Sequence, residues 1–312
     1  MARVPESPAP SGPARAWVWF ALKAVIGGGL LAFMLSRVSL GDSLAALSGV
    51  SAAAWVLALV LAVIAHAVNA AKLCGFIPGF AFWPSLRFTF IGTLYGTVLP
   101  SPLAGDAVKA VRMARAGDDP GPIVAAVIRD KVMGLAALIA LSLAAVPVAG
   151  LPGRGETAAL FIAGLAAAAL LWLVLDRAPR HGLLAPLMRH LPPAAAAGLG
   201  RGQLARNFVW GLVFQALVVA IFAILGHDVG ITISVADWTV VVGLVSVILL
   251  LPVTVAGLGL REGSLVGLLG ALGQSGEAAL ALSFAVLILS LATAGVGLIF
   301  DLAGRDRIGA RA

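Results

Sequence analysis

The chain has 312 residues; 61% are hydrophobic, only 11% are charged, and the formal net charge is +7. Soluble domains are about 45–50% apolar and about 25% charged. This composition therefore excludes an ordinary soluble domain and indicates a membrane protein with several spans. The surplus of cations does not indicate nucleic-acid binding, because the cations cluster between apolar runs, where anionic lipid headgroups and the positive-inside rule explain them.

Six apolar runs are long enough to cross a bilayer, since a transmembrane helix needs about 20 mostly apolar residues. Before the first run, the Pro-rich residues 1–16 are predicted to form a disordered lead. The first run is too long for a signal-peptide core, so it predicts a retained helix. After the last run, residues 303–312 form a basic tail. The predicted spans are residues 17–36, 51–71, 122–149, 157–175, 207–226 and 277–300.

Two further apolar regions, residues 84–104 and 237–257, each end in a Pro/Gly break and continue into a short helical stretch. The breaks read LPSPLAGD and LPVTVAGL, and they lie roughly half the chain apart. Paired interruptions at corresponding places in two halves indicate a transporter built from repeats, and they point to its binding site. Three residue pairs correspond between the breaks: Pro100 with Pro252, Ala104 with Ala256, and Gly105 with Gly257.

The positions of the cations decide between two topologies. If both interrupted regions crossed the membrane, the cation clusters at 109–115 and 177–206 would lie on the side opposite the termini. If both regions are re-entrant, nearly all loop cations lie on one side, and only Arg37 and Arg154 lie on the other. The sequence therefore predicts an all-α fold with about six full spans and two re-entrant broken helices. The termini are expected in the cytoplasm.

The re-entrant topology gives each half of the chain three full spans, so the two halves have inverted topology. We expect one transmembrane domain over residues 17–302, with the first repeat at about 17–150 and the second at about 157–302.

The first break is a candidate binding site, because broken backbone inside a membrane is tolerated only where protein buries it or water reaches it. We place Pro100 and Gly105 at the break and Asp106 at the N-cap of the helix that follows. Lys109 and Arg112 lie along that helix, and a helix N-terminus with nearby cations attracts anions such as phosphate. The alternative is that these cations only reach the headgroup layer.

The second break is the corresponding candidate. Pro252, Gly257 and Gly259 interrupt the backbone, and a half-helix is predicted to begin near Gly259 and to carry Arg261 and Glu262. These two charges are expected to face the same cleft; the alternative is a structural ion pair. The glycine stripe 259, 263 and 267 is most simply a close-packing face, although it would also let the half-helix slide.

A third candidate is the run Arg129-Asp130-Lys131, seven to nine residues into an apolar helix. Charges at such depth are costly unless they are paired, and they usually face a cavity. We expect Asp130 and Lys131 to serve the site and Arg129 to reach the interface; alternatively, this helix starts well outside the bilayer. For His66 and Gln215 in other spans, hydrogen bonds inside the bundle are the simplest role.

No catalytic motif is present in the sequence. It contains no nucleophile elbow, no P-loop lysine motif and no His/Cys metal cluster. Cys74 is the only cysteine, so neither an intramolecular disulfide nor a thiolate cluster can form. We therefore expect neither a cofactor nor an enzymatic activity.

Two stretches resemble motifs of a known family. The stretch LPSPLAGDAVKAVRMARAGDDPGPIVAAVIRDKVMGL resembles the pattern LPs-x-x-GGD-x-x-R … D-R-x-x-GL of the flippase-like family, the transmembrane half of lysylphosphatidylglycerol synthase/flippase and its stand-alone relatives. LPVTVAGLGLREG resembles its second motif, LP-x-S-x-GGLGvREG. The chain departs from these patterns at Ala104, Ala256, Lys109 and Lys131, and its last helix lacks an arginine often seen there.

The resemblance implies a multi-pass protein of the bacterial inner membrane that moves an anionic or aminoacylated phospholipid, or another lipid-linked headgroup. Since the chain ends at Ala312, soon after the last span, we expect no aminoacyltransferase domain. In this interpretation Lys109, Arg112, Lys131 and Arg261 would hold the lipid phosphate. One alternative is a membrane subunit that presents lipid to a separate lipid-modifying transferase, and another is an ion-coupled transporter of small solutes.

Overall fold

The computed structural model describes residues 21, 25–33, 35–77, 79–99, 104–116, 120–177, 199–250, 254 and 257–303. Within them the chain is built from helices, which confirms the predicted all-α class. Residues 1–16, Pro100, Pro252 and the tail from residue 304 lie outside the described residues. The helices are α1 (residues 25–33), α2 (Leu40–Ser48), α3 (Ala52–Cys74), α4 (Phe82–Val98), α5 (Ala104–Ala116), α6 (Pro120–Ala145), α7 (Arg154–Arg177), α8 (Arg201–Asp228), α9 (Val235–Ile248), α10 (Leu260–Ala271) and α11 (Gly276–Ala303).

Among the described residues, five helices are long and apolar enough to cross a membrane, namely α3, α6, α7, α8 and α11. They correspond to five of the six predicted full spans. The predicted first span is described only in part, as α1. The short helix α2 was not predicted, although Ser39 caps it by accepting a hydrogen bond from the Asp42 backbone N–H.

Both predicted breaks are present, because α4 ends at Val98 and α9 ends at Ile248 before the next helices begin. Leu99 has the extended backbone that a following proline imposes. In the second break, Gly257 and Gly259 have φ angles of 76° and 79°, a conformation that favours glycine.

The first hairpin, formed by α4 and α5, returns to the end of the bundle from which it starts. Arg87 of α4 donates to the backbone oxygen of Phe300 at 3.0 Å. Arg112 of α5 forms an ion pair of 2.9 Å with the neighbouring Asp301. Both arms of the hairpin therefore contact the same turn of α11, and we call this the Asp301 end.

The second hairpin, formed by α9 and α10, returns to the opposite end. Thr232, just before α9, donates its backbone N–H to the side chain of Gln274, just after α10. Asp237 in the first turn of α9 accepts a hydrogen bond from the backbone of Gly150. Because Gln274 precedes α11 and Asp301 lies near its far end, this second end, the Asp237 end, is separated from the first by the length of α11. The two hairpins thus enter from opposite ends, as inverted repeats require.

Candidate functional site

A polar cavity of about 290 Å³ lies beside the first hairpin, between α3, α4, α5 and α6. Four helices of the bundle bound this cavity, and Lys131 on its wall lies eleven residues past the start of α6, about 16 Å along that helix. The side chains of His66, Asn69, Thr93, Asp106, Lys109 and Lys131 are among its polar lining.

The charges on the cavity wall form one cluster around Asp106. One carboxylate oxygen, Oδ1, is 3.0 Å from Lys109 Nζ, and the other, Oδ2, is 2.8 Å from Lys131 Nζ. Lys109 is buried, whereas the side chain of Lys131 is 50% exposed. Two cations share one carboxylate, so the cluster carries a net positive charge, and Lys131 is its most accessible member.

Gly105 positions this cluster. It lies against Gly92 and Gly96 of α4, and a Cβ at residue 105 would overlap the Gly92 carbonyl oxygen. The glycine therefore allows α5 to pack closely on α4 and brings Asp106 to the cavity wall. The N-cap prediction for Asp106 is wrong: α5 begins at Ala104, so Asp106 lies within its first turn, where a negative charge still interacts favourably with the helix dipole.

Asp130 lies next to the cavity in a buried ion pair. Its Oδ1 is 3.3 Å from Lys72 Nζ of α3, and both side chains are at most 5% exposed. The pair joins α3 to α6. Arg129 is also buried, at 7% exposure, so the prediction that it reaches the interface is wrong. Consecutive helical residues point about 100° apart, and in α6 it is Lys131 that faces the open cavity.

Arg112 lies away from the cluster and binds the last helix. Its partner Asp301 also accepts a hydrogen bond from the Tyr95 hydroxyl, at 3.0 Å. Neither Asp301 nor Tyr95 was predicted as a site residue from the sequence. The available signals were a carboxylate at the end of an apolar run and the only tyrosine of the chain.

The charges at the second break are fully engaged with each other. Glu262, only 2% exposed, accepts from Arg261 at 2.9 Å and from the Ser283 hydroxyl at 2.8 Å. Its other oxygen accepts the backbone N–H of Gly259 at 2.7 Å, which caps the start of α10. Gly257 forms the turn just before this cap. The geometry favours the alternative of a structural ion pair at Arg261 and Glu262.

The structure does not bring the four predicted phosphate-binding cations together. Lys109 and Lys131 share Asp106, Arg112 pairs with Asp301, and Arg261 pairs with Glu262. The helices explain this separation: α5 packs on α4 and α6, whereas α10 packs on α9 and α11. The cavity at the first hairpin is therefore the candidate site, and the second hairpin has its own polar cluster.

Two polar residues have the predicted structural role within the bundle. The His66 ring nitrogens lie 2.7 Å from the Ala62 carbonyl oxygen and 2.9 Å from the Thr93 hydroxyl. Gln215 donates to the Gly134 carbonyl oxygen at 3.1 Å. These hydrogen bonds satisfy buried polar groups, and they fix the His66 ring on the cavity wall.

Residues 20–297 match the family described as Lysylphosphatidylglycerol synthase TM region. The chain belongs to this family. The match covers both hairpins, the polar cavity and the five long apolar helices, the last of them up to residue 297. A membrane-embedded, multi-pass domain with a lipid-related role is consistent with this membership. The comparison with curated proteins found no match.

Proposed function

We propose that the chain binds the headgroup of an anionic or aminoacylated phospholipid, or of another lipid-linked molecule, in the polar cavity and moves it across the membrane. The single observation that carries this proposal is the half-exposed Lys131 beside Asp106 and Lys109 inside an apolar bundle. In this account the membrane is the bacterial inner membrane, and the Asp301 end faces the cytoplasm.

The cost of placing charge inside a membrane supports a ligand for this cluster. Ionisable groups at such depth are expensive, and they usually mark a substrate pathway. Lys72 and Asp130 neutralise each other in a buried pair, but the Asp106 cluster retains one positive charge that faces open space. A phosphate oxygen would bind Lys131 as a point charge through a charge-assisted hydrogen bond.

Asp106 gives the cavity a second function in binding. When a phosphate approaches Lys131, the Asp106 carboxylate loses part of its contact with that lysine and becomes available to a cationic group. A headgroup that carries both a phosphate and an ammonium can satisfy both side chains. The proposed role is transport and involves no chemical change of the lipid.

The test is translocation of a fluorescent phospholipid by the full chain in liposomes. Lys131→Gln removes the accessible cation, and hydrogen bonds to charged groups contribute about 1.5–3 kcal/mol, so the rate should fall about tenfold or more. Lys131→Arg retains the charge and should keep most of the rate. Arg154→Gln is the matched control, because Arg154 is exposed and lies outside the cavity.

An unchanged rate in the Lys131→Gln variant would contradict the proposal. Lipid binding that depends on Lys131 but occurs without translocation would favour the alternative role, in which the chain presents lipid to a separate transferase.

A further inference from the structure

His66 of α3 lines the polar cavity, as do the three charged residues of the Asp106 cluster. Its Nδ1 lies 2.7 Å from the Ala62 carbonyl oxygen, and its Nε2 lies 2.9 Å from the Thr93 hydroxyl. The Phe90 ring is stacked on the imidazole with the ring centres 4.6 Å apart, and the face of an aromatic ring attracts a cation. Histidine is the side chain whose charge ordinarily changes between about pH 5 and 8. The contacts of this ring therefore bear on whether it can carry a second proton.

The hydrogen bonds around His66 fit the protonated ring better than the neutral ring. A carbonyl oxygen only accepts, so Nδ1 carries a hydrogen that points to Ala62. Thr93 has one hydroxyl hydrogen but two neighbours, since its Oγ1 also lies 3.1 Å from the Thr89 carbonyl oxygen. With a neutral ring, this hydrogen points to Nε2, and the hydroxyl contact with Thr89 is lost. With a protonated ring, Nε2 donates to Thr93 and Thr93 donates to Thr89, so all three contacts are hydrogen bonds at once.

The charge in the cavity controls this second proton. The titratable groups that line the cavity from the helices around α3 are Asp106 and Lys109 of α5 and Lys131 of α6. Among the described residues, the lining from α4 and α8 is uncharged, and α11 contributes none. Lys72 and Asp130, next to the cavity, neutralise each other. Two lysines and one carboxylate leave a net positive charge, which disfavours a further cation, whereas a bound phosphate would offset it.

From this arrangement we infer that His66 binds a proton together with the headgroup phosphate, so that the lipid and the proton cross the membrane together. The proton enters through Thr93, whose Oγ1 accepts a proton from water in the cavity and passes its own hydroxyl proton to Nε2. The hydroxyl then donates to Thr89. When the headgroup leaves, the same steps run in reverse and return the proton to water. The inference rests on the proposed function and names the ion to which transport is coupled.

Proton uptake is measured by titration calorimetry of the full chain in detergent with a short-chain phosphatidylglycerol, in buffers that differ in their enthalpy of ionisation. Between about pH 5 and 8 the uptake should reach about one proton per bound lipid. The affinity should weaken as the pH rises, by up to about tenfold per pH unit. His66→Gln should lose both effects. His227→Gln is the matched control, because the side chain of His227 is 80% exposed and lies outside the cavity.

A second pair of variants leaves His66 in place, so it decides the question even if His66→Gln does not fold. Thr93→Val keeps the shape of the side chain but removes the hydroxyl that relays the proton and accepts from Nε2. It should lose most of the proton uptake. Thr93→Ser retains a hydroxyl at this position and should keep the uptake. Equal uptake in the valine and serine variants would contradict the inference.

Coupled movement is measured in liposomes with a pH difference of about one unit and a fluorescent phosphatidylglycerol. An anionic phospholipid and a proton together carry no net charge, so the pH difference alone sets their distribution. After subtraction of the redistribution in protein-free liposomes, the probe should favour the alkaline leaflet about tenfold. His66→Gln should reach an even distribution, and His227→Gln should reach the same ratio as the wild type.

Lipid binding by the wild type without proton uptake would overturn the inference. Equal uptake by the wild type and His66→Gln, or an even lipid distribution with the wild type, would also overturn it. The proposed function fails separately. Translocation that does not depend on Lys131 would contradict the transport site, and an absence of lipid binding would contradict both proposals. Translocation that depends on Lys131 but proceeds without proton uptake would contradict the inference alone.

Discussion

The two hairpins share a broken helix and a cluster of charges, but they use the charges differently. At the second hairpin, Glu262 accepts hydrogen bonds from Arg261, Ser283 and the Gly259 backbone, so these charges are engaged within the protein. At the first hairpin, Asp106 is shared by two lysines, and one of them remains half exposed in a cavity. Similar motifs therefore form a buried ion pair at one hairpin and leave a charged cavity, the proposed binding site, at the other.

The largest loss of stability is expected when the Glu262 cluster of the second hairpin is broken. Glu262→Ala leaves Arg261 without its partner and removes the cap of α10, and breaking a buried ion pair costs about 3–5 kcal/mol. Thermal unfolding in detergent should show a much lower midpoint. Glu156→Ala is the control, because Glu156 is exposed. A midpoint equal to that of the control would show that the second cluster does not stabilise the fold.

The free energy of unfolding should be nearly as sensitive to the loss of the buried Lys72–Asp130 ion pair beside the cavity. A double variant separates the effect of charge from that of packing. Asp130→Leu or Lys72→Met alone leaves one buried charge unpaired and should cost about 3–5 kcal/mol. The double variant removes both charges, so it should be closer to the wild type than either single variant. Additive losses in the unfolding free energy would mean that the two residues do not act as a pair.

A smaller loss of stability is expected at the contact between the first hairpin and α11. The Arg112 side chain is 34% exposed, so its ion pair with Asp301 should contribute about 1 kcal/mol or less. A double-mutant cycle with Arg112→Gln and Asp301→Asn measures this coupling in unfolding experiments. A coupling of several kcal/mol would instead make this contact a main link between the repeats.

The sequence predicted the helices and their breaks because hydrophobic length and Pro/Gly positions are local signals. It also predicted which residues carry charge at the hairpins. It did not predict the partners of these charges, because residues such as Arg112 and Asp301 are far apart in the chain. The difference between the buried Arg129 and the half-exposed Lys131 depends on how α6 is rotated against its neighbours. The short helix α2 had local cap signals, but its length is below that of a membrane span.

The central claim is that a positive charge at residue 131 binds the lipid headgroup, and chemical rescue tests it most directly. Cys74 is the only natural cysteine, so Cys74→Ala provides a background in which Lys131→Cys can be modified alone. Translocation should be lost in that variant. A thiol reagent that attaches an aminoethyl group should restore it, and one that attaches a sulfonatoethyl group should not. Equal activity with both reagents, or no loss in the unmodified cysteine variant, would contradict the claim.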